Sequence, residues 1–168
     1  MTTSSPYIGA SVKRLEDRRF LTGTGRYIDD VKLPDMAVMA IYRSPHAHAR
    51  INSIDLAAAR AVPGVIDAFC AADIDMDLPV IPLRLAPFDG FERFLQRPIA
   101  QDKVRFVGEP VAVVIASDRY IAEDALDLIE VDFAPLPAVT SVDQAVSGET
   151  LIHEDAGENM GTRYTVGR

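Results

Sequence analysis

Residues 106–133, FVGEPVAVVIASDRYIAEDALDLIEVDF, change hydrophobic period twice without a break, and few arrangements satisfy them. Residues 111–116, VAVVIA, are a continuous apolar run rich in β-branched side chains, the pattern of a strand buried on both faces. Ser117 or Asp118 can cap the free backbone N–H groups of a following helix. In that helix Ile121, Ala122, Ala125, Leu126 and Ile129 recur at helical spacing, with Glu123, Asp124, Asp127 and Glu130 on the wet face. After about Leu128 the period falls to two. Ile129, Val131 and Phe133 alternate with Glu130 and Asp132, so a second strand starts with almost no turn. The rest of the chain must pack around this strand–helix–strand unit.

Gly108 stands just before the first of these strands, where a missing Cβ permits a close approach or a positive φ, and Pro110 fixes the entry. Gly108, Glu109 and Pro110 are therefore candidates for a loop that touches a cofactor or substrate. The plainer reading is a strand-entry turn.

Residues 1–35 are polar and without sustained period, and read as an extended N-terminal arm lying over a surface. Gly23-Thr24-Gly25 does not make a phosphate loop, because no third glycine, preceding buried strand or following helix accompanies it. Residues 36–42 (MAVMAIY), 50–56 (RINSIDL) and 65–71 (VIDAFCA) read as strands, and 56–61 as a short helix stopped by Pro63-Gly64. His46 and His48, two apart, are candidate metal ligands on an extended backbone. A metal site usually needs more ligands, and His153 is the only other histidine. Strands and helices mixed in this order give an α+β fold with a mixed sheet, and 111–133 is its candidate crossover.

Residues 78–100 are irregular yet apolar, with prolines that forbid a long helix. Two readings follow: the segment folds back on its own domain, or Phe88, Phe91, Phe94 and Leu95 form a contact surface for another domain or subunit. Ser141 or Thr140 caps a short helix through Val146. The alternation of Tyr164 and Val166 reads as a strand just starting.

At 168 residues the chain suits one domain, able to bury about 70% of its unfolded surface. With 17 Lys and Arg against 25 Asp and Glu, the net charge of −8 repels phosphate backbones, so nucleic acid is not an expected partner. No apolar run is long enough to span a bilayer and the N-terminus has no signal-peptide pattern, which points to the cytoplasm. Cys70, the single cysteine, lies in an apolar run and reads as a buried hydrophobe. Nucleophile elbows, metalloprotease helices and P-loops are absent, and no residue is singled out as catalytic.

Four ordered blocks carry a resemblance: RLEDRRFLTGTGRYIDDVKLP from Arg14, YRSPHAHARINSIDLAAARAVPGVIDAFCAADI from Tyr42, DKVRFVGEPVAVVIAS from Asp102 and AEDALDLIEVDFAPLPAV from Ala122. Together they resemble the a/b hammerhead domain of the xanthine dehydrogenase and aldehyde oxidase family, in the form that opens the molybdenum-binding large subunit of the carbon monoxide dehydrogenase type. The resemblance implies a hammerhead domain over residues 36–147, with 148–168 leading into a molybdenum domain in longer relatives. It also implies association with enzymes that oxidise aldehydes, N-heterocycles or carbon monoxide with water as oxygen source. In that family the molybdopterin contacts and the glutamate base lie in the longer region that follows. No catalytic or cofactor residue therefore transfers to this sequence, and no cofactor is expected in this chain alone.

The resemblance implies a noncatalytic portion or subunit of a molybdenum hydroxylase. Its partner is a large-subunit chain holding the molybdenum-molybdopterin group, within an assembly that can include FAD and iron–sulfur subunits. The alternative is a stand-alone binding or scaffold domain that self-associates as a homo-oligomer.

Overall fold

The computed structural model describes residues 11–83, 90–163, 165 and 167. Phe88, Tyr164 and Val166 lie outside the described residues. The chain divides into two compact units, Met1–Met36 and Ala37–Arg168.

In the first unit, helix α1 (Asp17–Leu21) is followed by a 3₁₀ turn at Ile28–Asp30. Phe20 stacks on Tyr27 with ring centroids 5.8 Å apart. Thr22 and Thr24 close the helix end by donating their hydroxyls to the Arg19 carbonyl, so the stretch read as extended from sequence carries a locally hydrogen-bonded turn.

The second unit runs β1 (Val38–Arg43), β2 (Ala49–Asp55), α2 (Ala57–Arg60), β3 (Val65–Cys70), β4 (Lys103–Val104), β5 (Pro110–Ala116), α3 (Arg119–Leu126), β6 (Glu130–Pro135) and α4 (Val142–Ser147). Its strands form two three-stranded sheets, β1-β5-β3 and β4-β2-β6, in which every pairing is antiparallel. This is an α+β fold.

The unbroken apolar run of β5 follows from its central place. Ala112, Val114 and Ala116 join a core with Ala122 and Ala125 of α3, while Val113 packs on the other face with Ala71, Leu78 and Ile99. Each fully buried Val contributes about 1.5–3 kcal/mol. Leu78 and Ile99 show that both ends of the irregular 78–100 segment fold back on the domain.

Asp118 caps α3 by accepting a hydrogen bond from the Tyr120 N–H at 2.8 Å, whereas Ser117 turns its hydroxyl to the Gly64 carbonyl. Helix α3 lies close on its sheet because only alanines are fully buried along its inner face.

The strand–helix–strand unit is present, but β5 and β6 enter different sheets. Strand β5 already has β1 and β3 on its two edges, so β6 pairs with β2 instead. Helix α3 thus bridges two antiparallel sheets and makes no parallel crossover within a mixed one.

The alternation that the sequence of β2 suggests, Ile51, Ser53 and Asp55 against Asn52, Ile54 and Leu56, fails as well. A register shift against β6 between Ile51 and Ser53 places Ile51 and Ile54 together in one apolar cluster, where alternation would put them on opposite faces. Among the described residues no helix is long and apolar enough to cross a membrane.

Two of the glycines held at positive φ, Gly64 and Gly108, differ in their surroundings. A Cβ on Gly64 (φ +95°) would meet Ile121 Cδ1 at 2.7 Å, whereas one on Gly108 (φ +90°) would meet nothing within 4 Å. Gly64→Ala and Gly108→Ala are each expected to cost about 1–2 kcal/mol from backbone strain, with Gly64→Ala the larger because the end of the Ile121 side chain and the Ser117 hydroxyl must also shift. Urea denaturation of the two variants tests this ordering, and a larger loss in Gly108→Ala would overturn it.

Candidate functional site

The entry to β5 is a braced loop. The Gly108 N–H donates to the Ser44 carbonyl at 2.8 Å, the Ser44 N–H to the Glu109 carbonyl at 2.9 Å, and Arg43 Nη1 to the Gly108 carbonyl at 2.8 Å. Glu109 is only 4% exposed, and its Oε2 accepts the Arg105 backbone N–H at 2.5 Å. Burial pushes its carboxyl above the ordinary range, opposed by the Arg105 N–H and the Arg105 charge. With its base tied down in this way, the loop presents Phe106 and Val107 to solvent.

Behind the loop lies a cavity of about 170 Å³, lined in part by Val80, Gln96, Ile99, Arg105, Glu109 and His153. Arg105 Nη1 makes one long hydrogen bond, 3.5 Å, to the Lys103 carbonyl. Its Nε is buried and has no hydrogen-bond partner among the described residues.

Lys103, 2% exposed, points its ammonium at the Glu154 carboxylate, which is held below the usual carboxylate range by that contact. His153 is kept below its ordinary pKa by burial, and further by the charges of Arg105 and Lys103, so the neutral imidazole is favoured. Two other arginines on the cavity wall are engaged elsewhere. Arg93 donates to the Ala156 carbonyl at 2.9 Å and Arg97 to Asp77 at 2.8 Å.

Of the three loop candidates, Glu109 lines the cavity together with Arg105 and His153, which sequence reading passed over, while Gly108 and Pro110 are not among its lining residues. His153 lies far along the chain from Glu109, and no motif spacing announces the pairing. The two candidate ligands His46 and His48 enter different surroundings. The His46 ring packs edge-on against Phe133, with centroids 5.0 Å apart, while His48 is buried with Nδ1 2.7 Å from the Pro137 carbonyl. That carbonyl can only accept, so Nδ1 carries a proton, and the buried Nε2 has no hydrogen-bond partner among the described residues.

Among the described residues no three His, Cys, Asp or Glu side chains group to hold a metal. Cys70 is buried, and burial pushes its thiol up, away from the thiolate a metal or an electrophile requires. Phe91, Phe94 and Leu95 are half-buried. Phe94 meets the His153 ring edge-on at 5.3 Å and lies 6.0 Å from Phe91, so residues from the chain's own C-terminal part cover some of this apolar surface.

Residues 22–137 match the family described as aldehyde oxidase and xanthine dehydrogenase, a/b hammerhead domain. The chain belongs to that family. This hammerhead chain is 43% identical over 154 residues to the carbon monoxide dehydrogenase large chain of Afipia carboxidovorans, a match that takes in 91% of this chain and 18% of that one. Among solved structures it is similar to quinoline 2-oxidoreductase from Pseudomonas putida 86, at 45% identity and TM-score 0.69, over 88% of this chain and 19% of the other. It is also similar to a Cu,Mo-CO dehydrogenase in its carbon monoxide reduced state, at 42% identity and TM-score 0.66, over 82% of this chain and 16% of that one. The hammerhead chain therefore spans about a fifth of the length of the relatives it matches.

Proposed function

We propose that this hammerhead chain is the noncatalytic portion of a molybdenum hydroxylase and acts by assembling with a polypeptide that carries the molybdenum-molybdopterin site. The observation that carries this reading is the asymmetry of the matches: nine-tenths of this chain aligns with less than a fifth of an oxidoreductase large chain. The described residues supply a braced loop and a charged cavity beside it. In this reading the exposed Phe106–Val107 tip and the surface around Phe91, Phe94 and Leu95 form part of the seam. Both are apolar and therefore suited to burial against another polypeptide.

Co-expression with a chain bearing the remaining large-subunit sequence is expected to yield one complex that retains molybdenum through gel filtration. Recovery of the hammerhead chain as a monomer or homo-oligomer, with the other chain eluting separately, would support the self-associating scaffold instead.

A further inference from the structure

We propose that the cavity beside Arg105 binds a carboxylate. The donor that calls for one is Arg105 itself, whose buried Nε is unpartnered and whose Nη1 makes only the long bond to Lys103. The two terminal Nη groups of an arginine present paired N–H groups, spaced to meet the two oxygens of a carboxylate. The neighbouring cations do not compete for such a group. Arg93, Arg97 and Lys103 are held by Ala156, Asp77 and Glu154.

The cavity also selects which oxyanion. Asp102, Glu109 and Asp155 on its wall disfavour a doubly charged phosphate, and a single negative charge on an aliphatic tail meets less repulsion. Val80, Leu95 and Ile99 offer that tail an apolar wall. At about 170 Å³ the space holds several waters, and so admits a short aliphatic acid.

The carboxylate has two sources of the same chemistry: a free short-chain acid, or an Asp or Glu side chain of the molybdenum-bearing polypeptide. The second source rests on the function proposed above; the first does not.

The test is an NMR titration of the 168-residue chain with sodium butyrate, following the Arg105 Nε–H resonance, with butyramide and sodium chloride at matched ionic strength as controls. Butyrate is expected to shift that resonance to saturation in the millimolar range while butyramide and chloride do not. Arg105→Gln is expected to weaken butyrate binding at least tenfold, read from the other cavity resonances, with Arg105→Lys between the two. The spectra of both variants report whether the fold is kept.

A second arm adds butyrate to the complex with the molybdenum-bearing chain. Competition, with a matching loss of complex in Arg105→Gln, identifies a partner side chain as the source; indifference together with saturable butyrate binding identifies a free acid. Unsaturable butyrate shifts with an unweakened Arg105→Gln complex overturn the proposal, as does equal binding of butyramide. If wild-type chains form no complex at all, the assembly reading fails and the butyrate arm still decides the cavity.

Discussion

Val114→Asp is expected to abolish the cooperative unfolding transition of this chain at 25 °C, while Val114→Ala keeps it with a loss of about 2 kcal/mol. Val114 is fully buried at the middle of β5, paired in register with Ala40 of β1 on one side and Ala68 of β3 on the other. Its cluster holds Leu56, Ala68, Cys70, Ala122, Ala125 and Ile129, none of which carries a charge to meet a carboxylate. The alanine variant loses the transfer energy of two methyl groups plus a small cavity. The aspartate variant adds an unpaired buried charge, about 3–5 kcal/mol more. A domain of this size has about 5–15 kcal/mol in total, so a combined loss of about 5–7 kcal/mol removes the whole of it toward the lower end of that range. Far-UV circular dichroism through a urea titration separates the cases. A sharp transition for Val114→Asp near the wild-type midpoint would show that Val114 does not occupy the centre of both the sheet and the α3 interface.

That strand was legible because burial on both faces leaves a signature in consecutive residues, VVI flanked by Ala, and its helix was legible because Ala122 and Ala125 recur at helical spacing while Asp118 supplies the cap. The destination of β6 was not legible. Whether a strand following a helix rejoins the first sheet depends on which sheet edges are already taken, and the occupancy of both β5 edges is set by β1 and β3, more than forty residues upstream. The slip at Ile51 and Ser53 was hidden for a related reason. A bulge is a property of the pair β2–β6, and either strand alone reads as plain alternation. The loop at Gly108 could be anticipated, since a glycine before a Pro-led strand is a local signal and φ is +90° there. The cavity behind it could not. Arg105 and Glu109 are close in sequence, but Glu154 reaches Lys103 across 51 residues, and His153 comes with it. Nothing in KVRFVGEP indicates a partner so distant.

Glu109→Ala is expected to cost about 3 kcal/mol and Glu109→Gln less than about 1 kcal/mol, because the position needs an acceptor more than it needs a charge. The alanine leaves the part-buried Arg105 backbone N–H without its acceptor, at about 1–3 kcal/mol. The amide of glutamine still accepts that N–H. The pH dependence separates the two contributions. Burial raises the folded-state pKa of Glu109 above 4.5, so below pH 4.5 the carboxyl is protonated in both states and carries no penalty. As pH rises from 4.5 through the raised folded value, the unfolded chain releases this proton first, and wild-type stability falls relative to Glu109→Gln before levelling off. Glu154, whose pKa is lowered, loses its contribution as pH falls below 4.5, on the other side of that boundary. His153 is common to both proteins, so its titration cancels when the two stability curves are subtracted. Urea denaturation of wild type and Glu109→Gln at a series of pH values gives this difference directly. A difference that grows in favour of wild type as pH rises above 4.5 would mean that the carboxylate is better accommodated in the fold than in water, and the buried placement of Glu109 behind its loop would be wrong.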